Sequence, residues 1–220
     1  MVSIGTIWRF VGKSSPVRAC LILLCSYAAL PSFLALPGAF GAENSNAKVK
    51  VDWPSPDGKF AFRTSYAEYL RTIDLIDNKS GKKLQQIDQV DMSSVYYDVL
   101  WAPDSQRFAL MTRVGHPNQG VDVYFRSGGE FRKIELADQL PKADIPDKLR
   151  RGKEFPHVAS NNWQQAEAWN KDGSLVVTID TTIDGAGSSI EAKRTVALTF
   201  DRAGKVKILK SSIKYETEND

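Results

Sequence analysis

The stretch WPSPDGKFAF, residues 53–62, returns as WAPDSQRFAL at 101–110 and as WNKDGSLVVT at 169–178. Each copy is a Trp, a short polar turn carrying an Asp, and then an alternating apolar run. Self-similarity at a spacing of a few tens of residues is the mark of repeat architecture. A second signal follows each copy: RTIDLIDNKSGKKLQQI with Gly81, VDVYFRSGGEFRKIEL with Gly129, and RTVALTFDRAGKVKIL with Gly204. In each, a β-rich run meets a Gly turn and a second alternating run, which predicts a hairpin. The Trp-to-Gly distances are 28, 28 and 35 residues. The third unit is therefore the same module with a longer internal loop.

Each unit reads as four antiparallel strands. The first ends at the Trp (KVKVDW, VYYDVLW, QAEAW), and the second is FAFRTSY, RFALMTR or SLVVTID. Asp57-Gly58, Asp104-Ser105 and Asp172-Gly173 join these two strands, because Asp and Gly suit the backbone angles and local bonding of tight turns. The expected fold class is all-β: three four-stranded antiparallel meander sheets arranged as part of a β-propeller. A residue repeated in every turn is explained by the turn, and the three Trp are expected to wedge between sheets and bond their N–H groups.

The pattern resembles the blades of TolB-type β-propellers. Trp101, Pro103, Asp104, Phe108 and Ala109 fit it, as do Trp53, Pro56, Asp57, Gly58, Phe60 and Ala61 with one more residue between Trp and Pro. Trp169, Asp172 and Gly173 fit, with Lys171 where Pro is expected. The resemblance implies a propeller architecture and no particular activity, since such folds host unrelated functions. Propellers have about four to eight blades, and three are present here. The expectation is a compact three-sheet monomer whose insertions cap the open edges, or a homodimer in which a second copy completes a six-bladed ring.

Residues 1–18 carry Arg9, Lys13 and Arg18 and no acid, and ACLILLCSYAAL (19–30) and GAFGA (38–42) follow. A basic start, an apolar run and small residues describe a secretory signal peptide over 1–42, cut near Gly41 or Ala42. The alternative is an uncleaved membrane anchor, against which Pro31 and Pro37 argue as helix breakers. The expected location is secreted or periplasmic. Cys20 and Cys25 both lie in this segment, so the remainder, 43–220, is expected to fold as a single β-repeat domain without disulfides. Removing 1–42 leaves 26 Lys and Arg against 26 Asp and Glu. That balance lacks the basic excess of a nucleic-acid binder, and no nucleic-acid partner is expected.

Two insertions break the repeat. The segment 137–163 carries three prolines and a Lys148-Leu-Arg150-Arg151-Gly-Lys153 cluster, with a short helix expected around 145–153. TTIDGAGSSIEAK, 181–193, is rich in Gly and Ser and is expected to be a mobile loop, and the tail YETEND to fray.

The two histidines outside the leader, His116 and His157, each fall in a non-repetitive segment. Gly187-Ser188-Ser189 lacks the spacing of a nucleophile turn. No His pair at helical spacing offers a zinc site, and Asp180 with Asp184-Gly185 lacks the alternating acids of a calcium loop. No catalytic residue, metal or cofactor is expected. Asn78-Lys79-Ser80 matches an N-glycosylation acceptor, meaningful in a eukaryotic secretory route.

Long loops on a rigid β scaffold tend to carry function. The expected function is therefore non-catalytic binding or scaffolding, with 137–163 touching another protein or an envelope component through Arg150, Arg151, His157 and Trp163. That insertion is expected to be replaceable by a short linker without loss of folding. The competing expectation is a small hydrolase or lyase in a cleft between sheets, which needs His116 or His157 beside a Ser or a carboxylate.

Overall fold

The computed structural model describes residues 48–219 except Ser93, Glu135, Ala137, Asp138, Ala186, Arg202 and Ala203. The expected leader, 1–42, lies outside the described residues. The described chain forms three antiparallel four-stranded meanders. The first comprises β1 (Lys48–Asp52), β2 (Phe60–Tyr66), β3 (Leu70–Asp77) and β4 (Lys83–Asp91). The second comprises β5 (Val95–Trp101), β6 (Arg107–Val114), β7 (Gln119–Ser127) and β8 (Glu130–Ile134). After the one-turn helix α1 (Asp147–Arg150), the third comprises β9 (His157–Trp169), β10 (Leu175–Gly185), β11 (Ser188–Phe200) and β12 (Val206–Asn219). The fold is all-β, as the repeat predicts.

The sheets pack in chain order. Phe60, Phe62, Ile73 and Leu75 of the first sheet meet Val95, Val99, Phe108, Leu110 and Phe131 of the second. On the opposite face, Ala109, Met111, Val121 and Val123 meet Trp169, Leu175, Val177, Val196 and Leu198 of the third sheet. The second sheet is thus covered on both faces. This is why β6 reads as the unbroken apolar run Phe108-Ala109-Leu110-Met111 rather than an alternation.

The tryptophans set the relation between neighbouring sheets. Trp101 Nε1 donates to the Trp53 carbonyl at 2.9 Å, and Trp169 Nε1 donates to the Leu100 carbonyl at 3.1 Å. The turns that follow share one geometry: Gly58 N–H to Ser55 O, Ser105 N–H to Ala102 O, and Gly173 N–H to Asn170 O. Counted from those turns, Trp101 and Trp169 are equivalent, and each reaches the carbonyl one residue before the same position in the preceding sheet. In the first unit Pro54 stands there. Trp53 falls one residue earlier with a left-handed φ of 51°, so its carbonyl receives the bond that Leu100 receives in the next sheet. The additional residue noted between Trp53 and Pro56 is this shift. Strict equivalence of all three tryptophans therefore does not hold, and among the described residues no sheet precedes the first for an indole to reach.

The repeated Asp does a turn's work. Asp57, Asp104 and Asp172 each accept the N–H two residues on, from Lys59, Gln106 and Ser174. The turns also tie the sheets together. Asp57 N–H donates to Ser105 Oγ at 3.0 Å, and Arg107 Nη1 donates to Gly173 O at 2.9 Å. Burial alone would push the Asp57 carboxyl up, but bonds from the Ser55 hydroxyl and the Lys59 N–H and ammonium outweigh it and bring it to about 2.

Four expectations need correction. The 181–193 segment is not a loop: Leu175–Gly185 pairs with Ser188–Leu198 without interruption, so β10 and β11 simply run longer than their counterparts. Gly185 is there for close approach, since a Cβ would lie 2.6 Å from Pro156 Cδ and 2.7 Å from Glu154 O. The tail does not fray, because β12 pairs with β11 as far as Asn219. The 137–163 insertion is not a detachable loop. Its residues from His157 onward belong to β9, and Ala143 is fully buried, with Leu140 and Ile145 packed on the core shared by the second and third sheets. Its backbone is held as well: Ala143 N–H donates to Asn162 Oδ1, and Arg194 Nε donates to Lys142 O. The helix within it is shorter than expected, Asp147–Arg150.

Two predictions follow from this packing. Trp101→Phe keeps a ring but leaves the Trp53 carbonyl unpaired, and is expected to cost about 1 kcal/mol. Trp101→Ala also empties the wedge and is expected to cost about 3 kcal/mol or more, whereas Trp53→Phe keeps its carbonyl and costs less than either; urea unfolding of the three variants ranks them. The depressed Asp57 carboxyl contributes stability that is complete above its ordinary value of 3.8 and is lost as pH falls through about 2. Thermal midpoints measured from neutral pH downward should fall in that acid window, and Asp57→Asn should flatten part of the drop.

Candidate functional site

The site begins with an irregularity in β9. Asp180 pairs with Trp163 and Thr182 with Ser160, so Asn161 and Asn162 together stand opposite Thr181. Two residues facing one is a β-bulge, a device that re-aims side chains. Asn162 adopts a φ of 50°, which Asn tolerates better than most residues. Its N–H donates to Thr181 Oγ1 at 3.0 Å, and its side-chain oxygen accepts from Ala143 at 2.9 Å. The bulge is therefore locked from both sides.

Beyond it, Trp163 and Asp180 sit side by side on the face of the third sheet that turns away from the core, because Ile179 and Val177 occupy the core face. The loop between β6 and β7 closes over this place. Asn161 N–H donates to Pro117 O at 3.2 Å, and the His116 ring stacks on Trp163 at 5.8 Å with 21° between planes. The Arg113 guanidinium lies 5.9 Å from the Trp163 ring and 4.6 Å from that of Tyr96.

The result is an open pocket of about 300 Å³ lined by His116, Ala159, Ser160, Trp163, Asp180, Thr182 and Glu191. Two polar atoms in it, Ser160 Oγ and Asp180 Oδ1, are buried and accept or donate no hydrogen bond among the described residues. Burial pushes the Asp180 carboxyl up; Lys193 opposes this, and Glu191 and Glu167 add to it. An ionised carboxylate only accepts hydrogen bonds, and an indole face attracts cations. The pocket is thus suited to a positively charged or hydrogen-bond-donating group.

Of the four residues singled out in the sequence, Trp163 lines this pocket. His157 is exposed at the start of β9, opposite Asp184. Arg150 ends α1 with its Nε 3.9 Å from Asp147, and Arg151 follows, exposed, at a φ of 50°. None of these three lines the pocket. His116 does, and so do Ser160 and Glu191, which the sequence reading left unassigned, and Asp180, which it weighed and set aside as a calcium ligand. His116 and Ser160 share the pocket, as a hydrolase requires. Yet Ser160 Oγ bonds to no base among the described residues, so the nucleophile–base contact of a triad is not formed. Ser188 turns instead to Gly185 O, 3.2 Å away, in the β10–β11 hairpin.

Among the described residues no three His, Cys, Asp or Glu side chains converge as a metal site. No described helix is long and apolar enough to cross a membrane. Comparisons with protein-family models, curated proteins and solved structures return no match.

An Asp whose folded-state carboxyl is raised contributes most to stability below its ordinary value and loses that contribution as pH rises through the folded one. Asp180→Asn is therefore expected to raise the thermal midpoint at neutral pH. The gain should vanish at about pH 3, where the wild-type carboxyl is also neutral. Scanning calorimetry of both proteins at the two pH values checks the sign.

Proposed function

We propose that the protein is an exported, non-catalytic binding module built on a TolB-like set of three blades. Its pocket at Trp163 receives a basic side chain from another protein or an envelope component. The observation that carries this reading is the Asp180 carboxylate, kept partly buried with an unpaired oxygen beside an aromatic face at an open mouth. A buried unpaired carboxylate costs stability, and a cationic partner group offsets that cost on binding. The rigid strand β9 presents Trp163 with little entropy left to lose, which favours recognition by pre-organisation. Export to a secreted or periplasmic location rests on the character of residues 1–42.

A hydrolase or lyase reading draws on one observation, the presence of His116, Ser160 and Asp180 in the same pocket. The stacking of His116 on Trp163 favours binding over that reading, because it engages the ring as a wall of the pocket.

Titration of isotope-labelled protein with the blocked tripeptides Gly-Arg-Gly and Gly-Lys-Gly, followed by NMR, is expected to shift the Trp163 indole resonance saturably. Gly-Glu-Gly should leave it in place. Asp180→Asn and Trp163→Ala should each weaken the basic peptides by about tenfold or more, the loss of one charged contact. Equal response to the acidic peptide, or none to the basic ones, defeats the binding reading. Turnover of model esters that His116→Gln abolishes would install the hydrolase in its place.

A further inference from the structure

At the far ends of β7 and β11 from the Trp163 pocket lies a larger groove, about 640 Å³, between the second and third sheets. Its floor is aromatic: Phe125 packs on Phe200 at 5.1 Å, and Phe200 on Trp169 at 6.1 Å. Among the described residues, its lining includes Arg107, Arg126, Arg132 and Lys133 and the acid Asp201.

These cations are not equivalent. Arg107 is fully engaged, with Nε and Nη2 on Asp104, Nη1 on Gly173 O, and its guanidinium over Trp169 at 4.9 Å. Lys133 pairs with Asp122 at 2.9 Å. Arg126 lies over the Phe60 ring of the first sheet at 5.0 Å, so its guanidinium is turned to the other face of the second sheet. Arg132 is exposed and stands directly across from Phe125 in the β7–β8 ladder. Among the described residues it has no ion pair and no hydrogen bond.

The far wall is formed by Phe200, Asp201 and Gly204. Asp201 Oδ1 there accepts the Lys205 N–H at 2.8 Å, so that oxygen is engaged in the turn. Gly204, at a φ of +82°, presses on Ile134: a Cβ in its place would lie 2.6 Å from Ile134 Cδ1. The groove's width thus depends on a residue without a side chain.

We propose that this groove binds a small organic anion with an aromatic body, its ring against Phe125 and Phe200 and its phosphate or carboxylate at Arg132. The volume is that of a small-molecule site, which combines apolar walls with a few placed polar groups. Arginine suits such an anion because its planar fork matches the oxygens and it stacks on rings. The proposal goes beyond the Trp163 pocket and depends on none of its residues.

The test uses the full chain and phenyl phosphate, with inorganic phosphate and benzyl alcohol as separate arms, read by calorimetry and by the amide resonances of Ser127 and Arg132. Phenyl phosphate should bind saturably and weaken with added salt, and each half-ligand should bind about tenfold more weakly. Arg132→Glu, an exposed change that leaves the fold intact, should reduce phenyl phosphate affinity by about tenfold, and Gly204→Ala should reduce it through the wall. Asp180→Asn should leave it unchanged. Unaltered affinity in Arg132→Glu overturns the proposal, as do inorganic phosphate binding as tightly as phenyl phosphate and failure of phenyl phosphate to saturate.

Discussion

An indole N–H reaching back to a backbone carbonyl of the preceding sheet is the contact on which the arrangement depends. Hydrophobic packing holds sheets together without fixing where one sits on the other, because it has no direction. A hydrogen bond from a rigid bicyclic ring has both length and angle. Trp101 and Trp169 supply it at the same point of successive units. With that point fixed, the neighbouring turns fall within reach of one another, and Asp57 bonds Ser105 while Arg107 bonds Gly173. The Trp and the Asp recur together because one places the sheet and the other shapes the turn that the placement brings into contact.

The repeat was legible because each of its residues answers to local physics. Asp57, Asp104 and Asp172 satisfy N–H groups two residues away, and such bonds need nothing beyond the turn itself. The segment 181–193 was misread for the opposite reason. Its Gly and Ser content says loop, yet Ile183, Ile190 and Ala192 are buried by pairing along the full length of β10 and β11. The tail is similar: YETEND has no apolar face of its own, and β11 supplies the backbone partners that hold it. In the 137–163 insertion, Ala143 and Ile145 carry too little periodicity to announce burial. Only the core of the other two sheets, absent from any local window, explains why they are covered.

The pocket was legible by half. Trp163 was singled out with the insertion that carries it, but its pocket neighbours come also from β10, β11 and a loop of the second sheet. The signal that existed was alternation: with Ile179 and Ile183 facing the core, Asp180 falls on the other face, beside whatever β9 offers. The bulge at Asn161 and Asn162 decides what joins Asp180 and Trp163 from the start of β9: a one-residue slip exchanges the faces of a strand, so without it Ser160 and Trp163 would lie on opposite faces.

The outer faces of the first and third sheets bear on whether three blades suffice. The second sheet is apolar on both faces because both are covered. On the third sheet's outer face the ladder runs Thr178, Thr195 and Ser212, then Asp180, Lys193 and Lys214. That ladder is polar, and its buried Thr178 bonds the Glu167 carboxylate, whereas a stable sheet-on-sheet interface needs an apolar face. On the first sheet's outer face, Asp74 is buried between Arg63 and Lys83, while Val49 and Val51 remain exposed on β1. Among the described residues, the edge strands β1 and β12 carry Lys48 and Lys50, and Lys207, Lys210 and Lys214, the charges that keep edges from pairing with another chain. The third sheet's outer face is thus polar, whereas the first sheet's combines Val49 and Val51 with the buried Ala61 and Ile76.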